Sequence, residues 1–149
     1  MKMDSFNIHV AFFAGLEFNI VEKPAGSFPR VVMSRVITNV GGAYNPLNGE
    51  FVAPVDGVYV LVVTISAQGR SRVKLIRLST LYQAAVRLMQ NDKQIFDVWS
   101  ESSPWSMTTN QAVLQMHAGD RVWLITREGA YFLHGYMYST FSGYMLFRI

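Results

Sequence analysis

The sequence predicts an all-β domain, a sandwich or jelly roll of short strands, and three observations carry that expectation. Val, Ile, Thr, Phe, Tyr and Trp make up 52 of the 149 residues, whereas Lys and Glu together number 9. The first group suits a pleated sheet and the second favours helix. Short alternating runs recur at roughly 8–12-residue spacing, as in sandwiches and jelly rolls. Gly and Pro are scattered between these runs as punctuation, without a linker, a low-complexity tract or an internal repeat.

Taken in order, residues Ile8 to Gly15 alternate Ile8, Val10 and Phe12 against His9, Ala11 and Phe13. Val31 to Asn39 alternate Val31, Met33 and Ile37 against Val32, Ser34 and Val36, and Arg35 interrupts the first face. Gly41 to Gly49 is turn-rich, and Asn48-Gly49 is a strong tight-turn signal because both residue types tolerate positive φ. Val58 to Ala67 is apolar on both faces, which predicts a central strand. Val86 to Gln90, the turn Asn91-Asp92-Lys93 and Gln94 to Trp99 read as a hairpin. Trp105 to Met116 is a further strand, and Ala118-Gly119-Asp120 turns the chain into Arg121 to Arg127. There Val122, Leu124 and Thr126 oppose Trp123 and Ile125. Tyr144 to Ile149 closes the chain. One stretch competes: Leu78, Leu81, Tyr82, Ala85, Leu88 and Met89 recur at helical spacing behind Ser79 as a candidate cap.

Composition narrows the function classes. Apolar residues make up 50% and charged residues 15%, against about 25% charged in typical usage, so a disordered chain is excluded. No apolar run approaches the roughly 20 residues of a membrane-spanning helix. The first residues lack the apolar core of a secretory leader, so the chain is expected to be cytosolic or a mature form whose leader was removed. Without cysteine there is no disulfide, thiolate nucleophile or thiolate metal site. A net charge of +3 leans towards anionic partners and is too small to imply nucleic acid. Enzyme signatures are missing. There is no Gly-x-Ser-x-Gly elbow, no phosphate-cradling glycine loop and no paired carboxylate pattern. His9, His117 and His134 stand far apart, and Asp56 and Asp120 read as turn residues that bond nearby backbone.

Two features could carry binding. Arg70, Arg72, Lys74 and Arg77 fall within eight positions, and the first three share a face if the segment is extended. Such a stripe could hold sulfate, phosphate or carboxylate groups; the competing reading is a solvated loop or a charged edge that blocks strand pairing. The second feature is the aromatic set Trp99, Trp105, Tyr131, Tyr136 and Tyr138, of which Tyr136 and Tyr138 face the same way if extended. Exposed rings stack on sugars or anchor protein interfaces, and core packing or a subunit contact is the alternative.

The stretch from Met33 to Val63 resembles the signature of the globular head of complement component 1q. That signature runs aromatic, five residues, Asn or Asp, four residues, aromatic, six residues, Phe, five residues, Gly-x-Tyr-x-Phe-x-aromatic. Asn39, Tyr44, Phe51, Gly57 and Tyr59 stand at those spacings. Met33 replaces the leading aromatic, and Leu61 and Val63 replace the closing ones, all with apolar character kept. Val10-Ala11-Phe12 and Ser139 to Tyr144 resemble the family's first and last strands, and Leu88 to Asp92 its central hairpin, which counts against the helix. The resemblance covers one domain over residues 1–149, with the roll over about 8–149 and an N-terminal arm at 1–7.

The resemblance implies a ten-strand jelly roll shared with tumour necrosis factor ligands and assembled as a compact homotrimer. It implies a non-enzymatic, secreted recognition protein of the stalkless, head-only type, because no Gly-x-y repeat is present. The expected partners are microbial polysaccharide, lipopolysaccharide or another glycan, bound in lectin-like fashion in innate immunity; neither nucleic acid nor membrane insertion is expected. The alternative is a structural or signalling ligand that meets a protein receptor through its aromatic and Met-rich surface. No cofactor is expected: some relatives hold calcium with loop Asp residues, but Gly41 to Glu50 offers only Glu50. The expected ligand-binding residues are Arg70, Arg72, Lys74, Arg77, Tyr136 and Tyr138.

Overall fold

The computed structural model describes residues 8–22, 24–26, 29–68, 83–101 and 106–149. Among the described residues eleven strands run in the order β1 (Ala11–Gly15), β2 (Arg30–Val31), β3 (Arg35–Val40), β4 (Tyr44–Asn45), β5 (Glu50–Val52), β6 (Gly57–Ser66), β7 (Ala84–Gln90), β8 (Lys93–Ser100), β9 (Met107–Met116), β10 (Arg121–Tyr131) and β11 (Thr140–Arg148). They form two antiparallel sheets. One has the order β3-β1-β11-β6-β9 and the other β4-β5-β10-β7-β8, with the two-residue β2 paired to β10. This is a jelly roll, and no described residue is helical.

The core between the sheets explains the spaced pattern of the signature. The Phe12 ring stacks on Tyr44 at 4.8 Å and Phe51 at 5.1 Å and meets the Phe141 edge at 5.0 Å. Tyr59 contacts Phe51 at 5.6 Å, and Leu61 and Val63 continue the same buried face. Asn39 clips the loop between β3 and β4: its Nδ2 donates to Tyr44 O at 2.8 Å, and its Oδ1 accepts from Tyr44 N. The Tyr44 hydroxyl donates to Met33 O at 2.7 Å, and burial pushes that phenol far above its usual pKa. Gly143 completes the packing. Its row is Phe12–Gly143–Leu61, and a Cβ there would stand 2.7 Å from Leu61 Cδ1 and 2.8 Å from Val60 O.

Three expectations change. Val31 to Asn39 is not one strand: Arg30–Val31 pairs with β10 in one sheet, and Arg35–Val40 pairs with β1 in the other. The chain crosses between sheets where Arg35 breaks the alternation, with Met33 sunk in the core and Ser34 exposed. The closing strand begins at Thr140 rather than Tyr144. Ala84–Gln90 is strand β7, so the helical spacing through Ala85, Leu88 and Met89 does not prevail; cross-strand partners on both sides decide it. The rest of that stretch, Trp105 and the arm at 1–7 lie outside the described residues.

Candidate functional site

Both sheets hide one face in the shared core and turn the other outward, and the two outward faces differ. On the five-stranded sheet, register places Val40, Ala11, Tyr144, Val60 and Val113 in one row across all five strands. Val40, Tyr144 and Val113 are 49%, 46% and 59% exposed. Phe13 and Val62 lie in the adjacent row, flanking Ser142. An apolar band this continuous on a β-sheet face is the mark of an interaction surface.

The outward face of the six-stranded sheet is built from ion pairs around an aromatic residue. Arg30, Ile125, Arg87 and Asp97 lie in register across β2, β10, β7 and β8. Asp97 accepts from Arg87 Nε at 2.7 Å and from Arg127 Nε at 3.1 Å. Glu50 accepts from Arg30 at 2.8 Å through one oxygen and from Arg121 through the other. Burial pushes both carboxyls up, but the hydrogen bonds and charges of the paired arginines outweigh it and hold both below the usual carboxylate range. Because each Glu50 oxygen already faces a guanidinium, the Gly41–Glu50 loop does not fit a calcium ion. Among the described residues no group of three His, Asp or Glu side chains could hold a metal.

The Tyr136 and Tyr138 pair sits in the turn between β10 and β11, not on an extended strand. Tyr136 and Met137 both have positive φ, 53° and 69°, which bulky side chains rarely adopt. Backbone bonds pin the turn: Tyr136 N donates to Glu17 O, Met137 N to Leu16 O, and Tyr138 N to Gly135 O. The two rings therefore take different partners. Tyr136 meets Phe18 edge-on at 6.0 Å, with both rings exposed, and Tyr138 stacks on His134 at 4.1 Å. The other histidines stand elsewhere: His9 is exposed at the start of β1, and His117 Nδ1 lies 3.8 Å from Asp56 Oδ1. Asp120 does bond nearby backbone, accepting from His117 N, which lowers its carboxyl pKa, whereas Asp56 accepts from Ala118 N of the facing turn. Trp99 is exposed on β8.

Arg70, Arg72, Lys74 and Arg77 lie outside the described residues. The chain on either side of them is anchored at one place, the end of β10. Gln68 Nε2 donates to Leu133 O at 3.1 Å, and Phe132 N donates to Gln83 O at 3.3 Å. The Tyr136 turn follows directly. The sequence reading missed Trp123, Arg30 and Phe18 as surface residues. The alternation of β10 already set Trp123 against the buried Val122 and Leu124, but the Arg30 beside it comes from a strand that no periodicity revealed.

Comparison with known proteins agrees with this architecture. Residues 11–146 match the family described as C1q domain. The chain is 31% identical over 145 residues to mouse "Complement C1q tumor necrosis factor-related protein 3", covering 95% of this chain and 52% of that protein, so it spans about half of that relative's length. Among solved structures, the "Globular Domain of Zebrafish Complement 1qA protein" superposes with a TM-score of 0.68 at 20% identity, covering 94% of this chain and 99% of that one. "Murine APRIL" superposes with a TM-score of 0.65 at 11% identity, covering 91% and 97%, which shows a shared fold. The spaced signature, the core that it builds and the match over nearly all of the chain lead to one conclusion: this protein belongs to the C1q domain family.

Proposed function

We propose that the protein is a secreted, non-enzymatic recognition head that assembles as a homotrimer and binds microbial surface glycans in lectin-like fashion. One observation carries this reading: an apolar row crosses five strands on the outward face of one sheet, with Val40, Tyr144 and Val113 exposed, while the opposite outward face is charged. Three copies that bury the apolar row leave three charged faces outward, and repeated weak sites on one particle gain avidity on a repetitive surface. The non-enzymatic reading is supported by the direction of the carboxylate shifts. Glu50, Asp97 and Asp120 are all held more acidic than usual, the opposite of a poised general acid. The proposed contact residues are Arg70, Arg72, Lys74 and Arg77 for anionic groups, with Tyr136 and Tyr138 as the aromatic surface. The common anchoring of residues 68 and 83 beside the Tyr136 turn supports grouping them.

Light scattering on the purified chain is expected to give the trimer mass. A glycan and bacterial-component array, run with and without calcium, is expected to show calcium-independent glycan binding that weakens when the four basic residues become Ser. A monomer at micromolar concentration overturns the assembly. An array blank for every glycan, beside capture by a cell-surface protein receptor, turns the reading towards a receptor ligand.

A further inference from the structure

A groove of about 410 Å³ opens on the outward face of the six-stranded sheet, lined by Arg30, Met89, Asp92, Trp123 and Ile125. Trp123 and Ile125 come from β10 and Met89 from β7, and Trp123 and Met89 are register partners. Arg30 stands on one side, on β2, with its guanidinium carbon 4.8 Å from the Trp123 ring centroid. Asp92 approaches from the other side, in the β7–β8 turn. The groove is therefore apolar in its floor and polar at two separated points, the composition of a small-molecule site.

The charge around the groove is unbalanced in a defined way. Glu50 is shared by Arg30 and Arg121, and Asp97 by Arg87 and Arg127. Each trio carries two positive charges and one negative, so each keeps a net positive charge, and with the groove's own Asp92 counted one positive charge is left over. Arg30 and Arg87 are the register neighbours of Ile125 on its two sides, so the surplus flanks the apolar floor. Among the described residues, the Arg30 guanidinium bonds Glu50 and Asn48 through one nitrogen, Nη1. A planar guanidinium has further donors for a second anion.

We infer that this groove binds one acidic pyranose unit, a uronate or a sulfated sugar, of a polysaccharide. The C–H face of the sugar lies on Trp123, Met89 and Ile125, its acidic group meets Arg30, and its hydroxyls donate to Asp92 at the far rim. Charge complementarity selects this occupant. A neutral sugar leaves the surplus unanswered, and a second copy of the same face brings like charge against like. The inference rests on the glycan-recognition reading above and adds contact residues other than 70–77.

The test titrates the full chain with an oligogalacturonate trisaccharide, a heparin-derived tetrasaccharide and neutral maltotriose, in a background with Arg70, Arg72, Lys74 and Arg77 changed to Ser. An acidic probe is expected to bind and maltotriose not. Arg30→Gln and Trp123→Ala should each weaken binding about tenfold, the scale of an interface anchor. Arg30→Gln leaves Glu50 paired with Arg121, and Trp123→Phe keeps a ring in the floor, so neither strips the fold of a needed partner; Trp123→Phe should retain most of the affinity. Acidic-probe affinity untouched by Arg30→Gln and Trp123→Ala overturns the groove while glycan recognition stands. Maltotriose binding as tightly as the acidic probes overturns the ligand class. No saccharide bound in that background overturns the groove, and no saccharide bound by the parent chain either overturns the recognition reading as well.

Discussion

The two outward faces of this jelly roll are made by the same kind of strand, yet they are prepared for opposite fates. On the five-stranded sheet the outward row is Val40, Ala11, Tyr144, Val60 and Val113, in which the Tyr144 hydroxyl is the one polar side-chain group. On the six-stranded sheet the outward row is Arg30, Ile125, Arg87 and Asp97, in which each charge is held by a partner and still reaches solvent. Burying the first row against another copy removes apolar surface from water, worth about 25 cal/mol per Å². Burying the second, together with Glu50, Arg121 and Arg127 that pair with it, would desolvate four guanidiniums and two carboxylates, a cost that ion pairing seldom recovers. On the proposed reading, the difference separates assembly from recognition within one small domain.

The largest effect should come from charging the apolar row. Val113→Asp combined with Tyr144→Asp is expected to convert the proposed trimer to monomer by light scattering, with the β circular dichroism kept. Arg87→Ser combined with Arg127→Ser on the other sheet should leave the mass unchanged. If the second pair also dissociated the assembly, the contrast between the faces would be lost. Next in size is a change that harms both faces through their common core. Gly143→Ala forces a methyl against Leu61 and the Val60 carbonyl, and should cost about 2 kcal/mol in chemical denaturation, typical of overpacking.

Smaller effects sharpen the charged face. Asp97→Ala leaves Arg87 and Arg127 facing each other unpaired, and should cost about 1 kcal/mol, modest because these side chains still reach water. The smallest expected signal is in the acid limb of stability. Glu50 and Asp97 are held below their ordinary values of 4.5 and 3.8 in the folded chain. Their contribution is therefore full above those values and is lost as pH falls through the lower folded ones. Thermal melts below about pH 4.5 should show a shallower decline for Glu50→Gln with Asp97→Asn than for the parent. An identical acid slope in both proteins would mean that the arginine trios do not bind these carboxylates as drawn.

Much of this fold was legible because strand alternation and the spaced signature are local properties. Asn39, Tyr44, Phe51, Gly57 and Tyr59 could be read at their spacing, and each proves to serve the same core. The hairpin at Asn91-Asp92 could be read because Asn accepts the positive φ that such a turn requires. The groove could not. Trp123 was visibly outward on its strand, but Arg30 lies 93 positions away and reaches it only because the chain changes sheets between Val31 and Arg35. The aromatic pair Tyr136 and Tyr138 is exposed, where core packing or a subunit contact was the competing reading, and its shared orientation failed because two left-handed residues turn the backbone there.

What the sequence by itself determined is the class of the fold, its family and the identity of the core, since side-chain period and residue spacing report which positions must leave water. What only the tertiary structure decided is which strands become neighbours, and so which charges meet. The sharing of Glu50 between Arg30 and Arg121, and of Asp97 between Arg87 and Arg127, arises from strand register between distant segments. Electrostatic pairing depends on distance in space, and no local pattern encodes that distance.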